Sequence, residues 1–177
     1  MKLKNAVVFL IVFFIKQTDL SSEIYIMDQI KKRVLNIIDN AETLGQKDKY
    51  TALNPSSGAY GRFQLIPSVH GQQIEERYNV PFNEIGSYPD IQDDYFDSVL
   101  FPRYHKDAVE LKQKYPKTDL SEEELTALQQ LGKKNVERYL LNEAAPNIVK
   151  QVEHFKTRAR EPRFSKTKQT MSNKRIP

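Results

Sequence analysis

Across residues 28–44 the apolar side chains Ile30, Val34, Ile37, Ile38 and Ala41 recur at three- and four-residue spacing. That spacing predicts a helix with one buried face, and Gly45 offers its C-terminal stop. Residues 46–57 are polar, and their Asn54-Pro55-Ser56-Ser57 run is turn chemistry. A short glycine and aromatic segment over 58–66 ends at Pro67, where Ser68 is placed to cap a second helix reaching about Tyr78. Residues 86–89 break the chain, and 90–115 reads as helix with a kink at Pro102. Ser121-Glu122-Glu123-Glu124 has the form of a capping box, opening a helix through Leu131. After Gly132, residues 135–142 and 145–158 return to helical spacing. No alternating strand pattern of any length and no internal repeat interrupts this series. The pattern predicts an all-α fold of about six helices spanning residues 23–158.

The first 22 residues follow another rule. Lys2 and Lys4 precede an unbroken apolar run over 6–15, the arrangement of a secretory signal peptide. Ten helical residues rise only about 15 Å, half of a hydrocarbon layer of about 30 Å. A removable export signal is therefore expected, with Ser21-Ser22 the best small-residue cleavage point. An uncleaved membrane tether and a buried core helix are the alternatives. Export implies a periplasmic or extracellular protein.

Charge separates the other end. The chain carries a net charge of +4, yet residues 156–177 hold eight basic side chains against one acid, so the body is acidic and a flexible basic tail is expected over 159–177. That imbalance disfavours a wholly basic nucleic-acid-binding fold. The tail also lacks the interleaved aromatics of a base-stacking platform, apart from Phe155 and Phe164. No nucleic-acid partner is expected, and no membrane contact except through an uncleaved signal. The absence of cysteine excludes disulfides, cysteine-ligated metals and a thiol nucleophile. His70, His105 and His154 have no partner at i, i+4, and the neighbours Gln92, Asp93 and Asp94 would face different directions on a helix. No metal or cofactor is expected.

Candidate chemistry concentrates in residues 56–67, SSGAYGRFQLIP. Two glycines three apart, with Ala59 between, permit close approach of a ligand or a second backbone, and Gln64 presents both a donor and an acceptor. Upstream, Glu42 lies on or beside the apolar face of the first helix, where partial desolvation raises a carboxyl pKa. That is what a general acid working near neutral pH requires. Tyr60 and Phe63 read equally as core packing and as sugar-stacking faces.

These residues resemble the lytic transglycosylase and goose-type lysozyme superfamily: a glutamate ending a helix, a polar loop, then Ser-Gly-Ala-x-Gly-x-x-Gln-hydrophobe-x-Pro. The pattern falls on Glu42, on 43–55 and on 56–67, and a weaker likeness covers the Gly132 turn and the helix after it, 131–140. The resemblance implies a lysozyme-like domain that binds peptidoglycan glycan strands, with Ser57, Gly58, Tyr60 and Gln64 on the substrate. It also implies a single glutamate that protonates the glycosidic oxygen and then, as carboxylate, takes a proton from the muramyl hydroxymethyl group. Enzymes of this kind often serve a secretion or conjugation apparatus. Three departures stand out. Thr43 replaces the usual serine, Gly58 comes sixteen residues after Glu42, and the tyrosine common before the later glycine turn is missing. Gln129, Gln130 or Tyr139 would have to supply its hydrogen bond. A water-using muramidase drawing on Asp48, Asp90 or Asp93, and a non-catalytic wall-binding or assembly protein, are the alternative readings.

Overall fold

The computed structural model describes the backbone of residues 3–42 and 48–160, and side chains from Ser21 onward within those ranges. Seven α-helices account for most of these residues and no strand occurs among them, as the all-α expectation holds. The helices are α1 (Leu3–Glu42), α2 (Pro67–Tyr78), α3 (Pro89–Tyr95), α4 (Phe101–Lys114), α5 (Glu122–Leu128), α6 (Lys133–Leu140) and α7 (Pro146–Arg160).

Helix α1 is far longer than the apolar spacing over 28–44 implied, because the backbone stays helical from Leu3. Side chains of the apolar run over 6–15 lie outside the described residues, as does Gly45. Among the described residues no helix is long and apolar enough to cross a membrane. Among the described side chains of α1, Val34, Ile38 and Ala41 are buried at four- and three-residue spacing, and the helix packs on α5 and α7. Those partners bring Leu125, Leu128, Val152 and Phe155.

Local signals explain most of the other ends. The Ser121 capping box forms: its hydroxyl accepts from Glu124 N–H at 3.1 Å and the Glu124 carboxylate accepts from Ser121 N–H at 2.9 Å. Two expectations shift. Helix α2 begins at Pro67 with Ile66 as its cap, and Ser68 makes no capping bond, because proline's fixed φ and missing N–H suit the first helical position. The break attributed to Pro102 lies one turn earlier, where 96–100 opens into a wider turn closed by Phe101 N–H on the Phe96 carbonyl. A proline lacks the donor for a regular i→i−4 bond and crowds the preceding turn, so the helix loosens before it rather than at it. Helix α7 runs to Arg160, so residues 159 and 160 belong to the domain rather than to a tail. Lys156 pairs with Asp119 at 3.0 Å and Arg160 with Glu124 at 2.7 Å. Residues 161–177 lie outside the described residues.

Candidate functional site

The 52–66 segment folds as two tight turns back to back. Asn54 and Ala59 pair through Asn54 N–H to Ala59 O at 2.8 Å, and Tyr60 and Leu65 exchange bonds of 2.9 and 2.8 Å. Asn54 starts the first turn by accepting from Ser56 N–H at 3.1 Å and from the Ser56 hydroxyl at 2.8 Å. The Ser57 hydroxyl accepts from Ala59 N–H at 3.2 Å. Gly58 N–H closes this turn on Asn54 O at 2.8 Å. Ser57 and Gly58 are thus turn builders at the loop's outer end. Gln64 adopts a left-handed φ of 46°, uncommon outside glycine. Its side-chain amide donates back to Gly61 O at 3.0 Å, recapping the second turn. Tyr60 lies against Gly86. Phe63 is buried and stacks on Phe96 with ring centroids 4.5 Å apart.

What fastens this loop to the helices is polar. Gln92 of α3 is fully buried with both ends of its amide used: Oε1 accepts from Arg62 N–H at 3.0 Å, and Nε2 donates to Tyr50 O at 2.9 Å and Ile85 O at 3.0 Å. Gly61, at φ 77°, leaves the space Gln92 occupies; a Cβ there would lie 2.7 Å from Gln92 Cδ. Arg62, its side chain only 11% exposed, grips Asp39 through two bonds of 2.8 Å and Asp93 through one of 3.0 Å. Tyr50 donates to the same Asp93 at 2.8 Å, and Lys49 joins Asp39 at 3.1 Å. Burial, the strongest influence on Asp39, pushes its carboxyl upward, but the Arg62 and Lys49 contacts together hold it below the ordinary range. Burial likewise opposes the charge on Arg62, and its two carboxylates more than offset this.

Asp39 lies one turn before Glu42, so the Arg62 grip docks the end of α1 against the loop. Glu42 is the last described residue of α1 and is half-buried. Burial pushes its carboxyl above the usual range, against the opposing fields of Arg158 and His154 on α7. The structure therefore brings the end of α1 and the 57–67 loop together and leaves two other expected residues elsewhere. Gln129 is 3% exposed; its amide donates to Leu125 O at 3.1 Å and its Oε1 has no partner. The Gln130 Nε2 is buried and equally unmatched. Tyr139 donates to Glu153 and lines a cavity of about 570 Å³ with residues of the 114–119 and 139–142 segments. Asp93 is committed to Arg62 and Tyr50, and Asp48 accepts from Tyr50 N–H at 3.1 Å. The neighbours of Asp93 point elsewhere: Gln92 to Gly61, Asp94 to the Tyr78 hydroxyl at 2.7 Å. No group of acids and histidines able to hold a cation occurs among the described residues.

Sequence reasoning passed over Asp39 and Arg62, and weighed Gln92 only beside Asp93 and Asp94 as a cation site. Asp39 had a signal, sitting at i−3 from Glu42 and so on the same helical face. Arg62 and Gln92 had none, since each acts across about thirty residues of chain. Comparison with known proteins adds no relative: no family model, curated protein or solved structure matches the chain.

Proposed function

We propose that this chain is an exported, lysozyme-like lytic transglycosylase that cuts peptidoglycan glycan strands between N-acetylmuramic acid and N-acetylglucosamine, with Glu42 as its general acid and base. The observation that carries this reading is a desolvated carboxyl in the last described turn of α1, one turn after the Asp39 that the glycine loop of the resembling sequence grips through Arg62. A carboxyl raised by burial keeps its proton to higher pH than a solvated one. Glu42 delivers that proton to the glycosidic oxygen as the C1–O bond breaks. The resulting carboxylate takes the proton of the muramyl C6 hydroxyl while that oxygen bonds to C1, so an anhydro sugar leaves and Glu42 is again protonated. The scheme needs no second free carboxylate, and the commitment of Asp93, one of the muramidase candidates, to Arg62 and Tyr50 favours it over a water-using muramidase. One observation favours the non-catalytic alternative: Tyr139 and Gln129 are bonded to Glu153 and to Leu125 O, so neither is directed at Glu42.

Digestion of purified peptidoglycan with mass analysis of the fragments separates the three. Anhydro-muramyl ends support the transglycosylase, reducing ends the muramidase, and intact strands that still retain the protein the binding role. Glu42→Gln is expected to cut the rate by about 10²–10⁴ or more. Because the folded carboxyl sits above its unfolded value, its burial penalty is fully present only above the folded pKa. The variant should melt no lower than the parent at neutral pH, and any gain should fade as pH falls through the folded value.

A further inference from the structure

The cavity of about 570 Å³ beside Tyr139 is separate from the Glu42 end of the molecule. His154 and Arg158, whose fields reach Glu42, lie on one side of α7. Glu153 and Lys156, which serve the cavity, sit roughly 150° around the same helix at 3.6 residues per turn. The cavity is also built in advance. The Tyr139 hydroxyl is tied to Glu153, and the Tyr115 hydroxyl donates to Glu137 at 3.3 Å. Both rings are therefore pinned at their far ends. Lys112 holds the 115–120 loop by donating to Thr118 O at 3.2 Å and Leu120 O at 2.7 Å. Most charges around it are closed internally, Asp119 on Lys156 and Glu137 on Lys114. The side chains of Lys117 and Asn142, both exposed at its edge, make no such bond among the described residues. The Lys114 ammonium lies over the Tyr115 ring at 5.4 Å, which leaves the pinned Tyr139 ring, one amide and one uncommitted cation as a small set of converging groups in a volume typical of ligand sites.

We propose that this cavity is a second saccharide site, taking an N-acylated sugar unit that carries a carboxylate. The sugar's apolar face stacks on Tyr139, Asn142 meets its acylamino group, and Lys117 meets the acid. That the unit comes from the glycan strand rests on the reading of Glu42 above; the recognition chemistry does not. The site would hold a strand at a distance from the point of cutting and would not itself cleave.

The test uses the full chain as Glu42→Gln, which removes turnover, in an amide NMR titration with N-acetylmuramyl-L-alanyl-D-isoglutamine and, in parallel, neutral chitotriose. Saturable shifts at 115–118 and 139–142 with the acidic ligand are expected. Lys117→Gln should weaken that ligand about fivefold to tenfold and leave chitotriose within twofold. Shifts confined to 57–67 and the end of α1 would overturn the second site while sparing the proposed function. Shifts at the cavity insensitive to Lys117→Gln would overturn the acidic-sugar assignment. Cavity binding by a protein that cuts no peptidoglycan would sustain the second site and sink the catalytic reading. Silence throughout the titration overturns the proposal.

Discussion

Two glycine turns punctuate the domain, and they treat buried amides in opposite ways. At Gly61 the turn is fitted around Gln92, whose oxygen and nitrogen are both matched inside the fold. At Gly132, with φ 84°, the turn follows two glutamines whose buried Oε1 and Nε2 find nothing. A matched buried amide converts a flexible loop into a fixed one, whereas an unmatched one carries the desolvation cost of its polar atom without return. The comparison teaches that the 57–67 loop, and not the later turn, is the place where this fold invests in rigidity. A rigid loop that grips α1 one turn before a desolvated carboxyl fits what positioning of a substrate requires.

The sharpest way to break that contrast is Gln92→Met. It would orphan Arg62 N–H and Tyr50 O together, while Ile85 O keeps its bond from Tyr88 N–H, and at about 1–3 kcal/mol for each stranded group the loss should reach about 4 kcal/mol. Urea unfolding would show it as a lower midpoint at unchanged slope. A loss under about 1 kcal/mol would mean that water replaces the amide and that the loop is not held by it.

Arg62→Met should cost about 3 kcal/mol, the low end for breaking a buried ion pair, because Lys49 still reaches Asp39 and Asp93 is partly open to solvent. Its pH dependence carries the sign. Asp39 is held below its unfolded value, so its contribution is present above that value and lost as pH falls through the folded one. The gap between parent and variant melting curves should therefore narrow on acidification. A gap that stays constant would assign the effect to the lost packing of Arg62 on the Phe63 ring, 5.3 Å away.

How far these features were legible in the sequence follows the same division. Short-range signals were read correctly: the Ser121 capping box, the stop at Gly132 and the apolar face of α1 all depend on residues within a turn or two of each other. The Pro102 break was seen but displaced by a turn, since a proline disturbs the carbonyls before it. Glu42 and the glycine pair were visible as a spacing. The Arg62 grip was not, because an arginine between a glycine and a phenylalanine reads the same whether its guanidinium reaches water or two carboxylates of the fold. Likewise the sequence offered Gln129 and Tyr139 as substitutes for a missing tyrosine. Only packing reveals that one is buried against Leu125 and the other turned toward Glu153.

The glycines themselves sharpen the contrast at lower cost. Gly61 and Gly132 share a positive φ, and Gly132 at ψ 135° lies outside the left-handed helical well, so alanine at either costs about 1–3 kcal/mol in backbone strain. Gly132→Ala should show little more, since the nearest atom to its new methyl, Asn135 Nδ2, is 3.9 Å away. Gly61→Ala must also displace Gln92 and should lose about 1 kcal/mol beyond that. Equal melting temperatures for the two variants would show that Gln92 shifts without penalty.

Gln129→Met is expected to have the smallest effect, and it tests the other half of the comparison. Methionine approximates the volume of glutamine and fills an irregular core space well. The substitution gives up one bond to Leu125 O, a carbonyl within α5. It also removes the buried Oε1 that has no partner. A typical bond contributes about 0.5–1.5 kcal/mol net, while an unsatisfied buried acceptor costs about 1–3 kcal/mol. The two nearly cancel, and the variant should stay within about 1 kcal/mol of the parent, with gain as acceptable as loss. The same Gln→Met exchange would then cost several kcal/mol at residue 92 and almost nothing at residue 129. A loss at residue 129 as large as at residue 92 would mean that Gln129 Oε1 is engaged in solution, by a trapped water or a bound strand. In that case Gln129→Met should also weaken peptidoglycan retention, and a loss of stability without a loss of retention would identify the water.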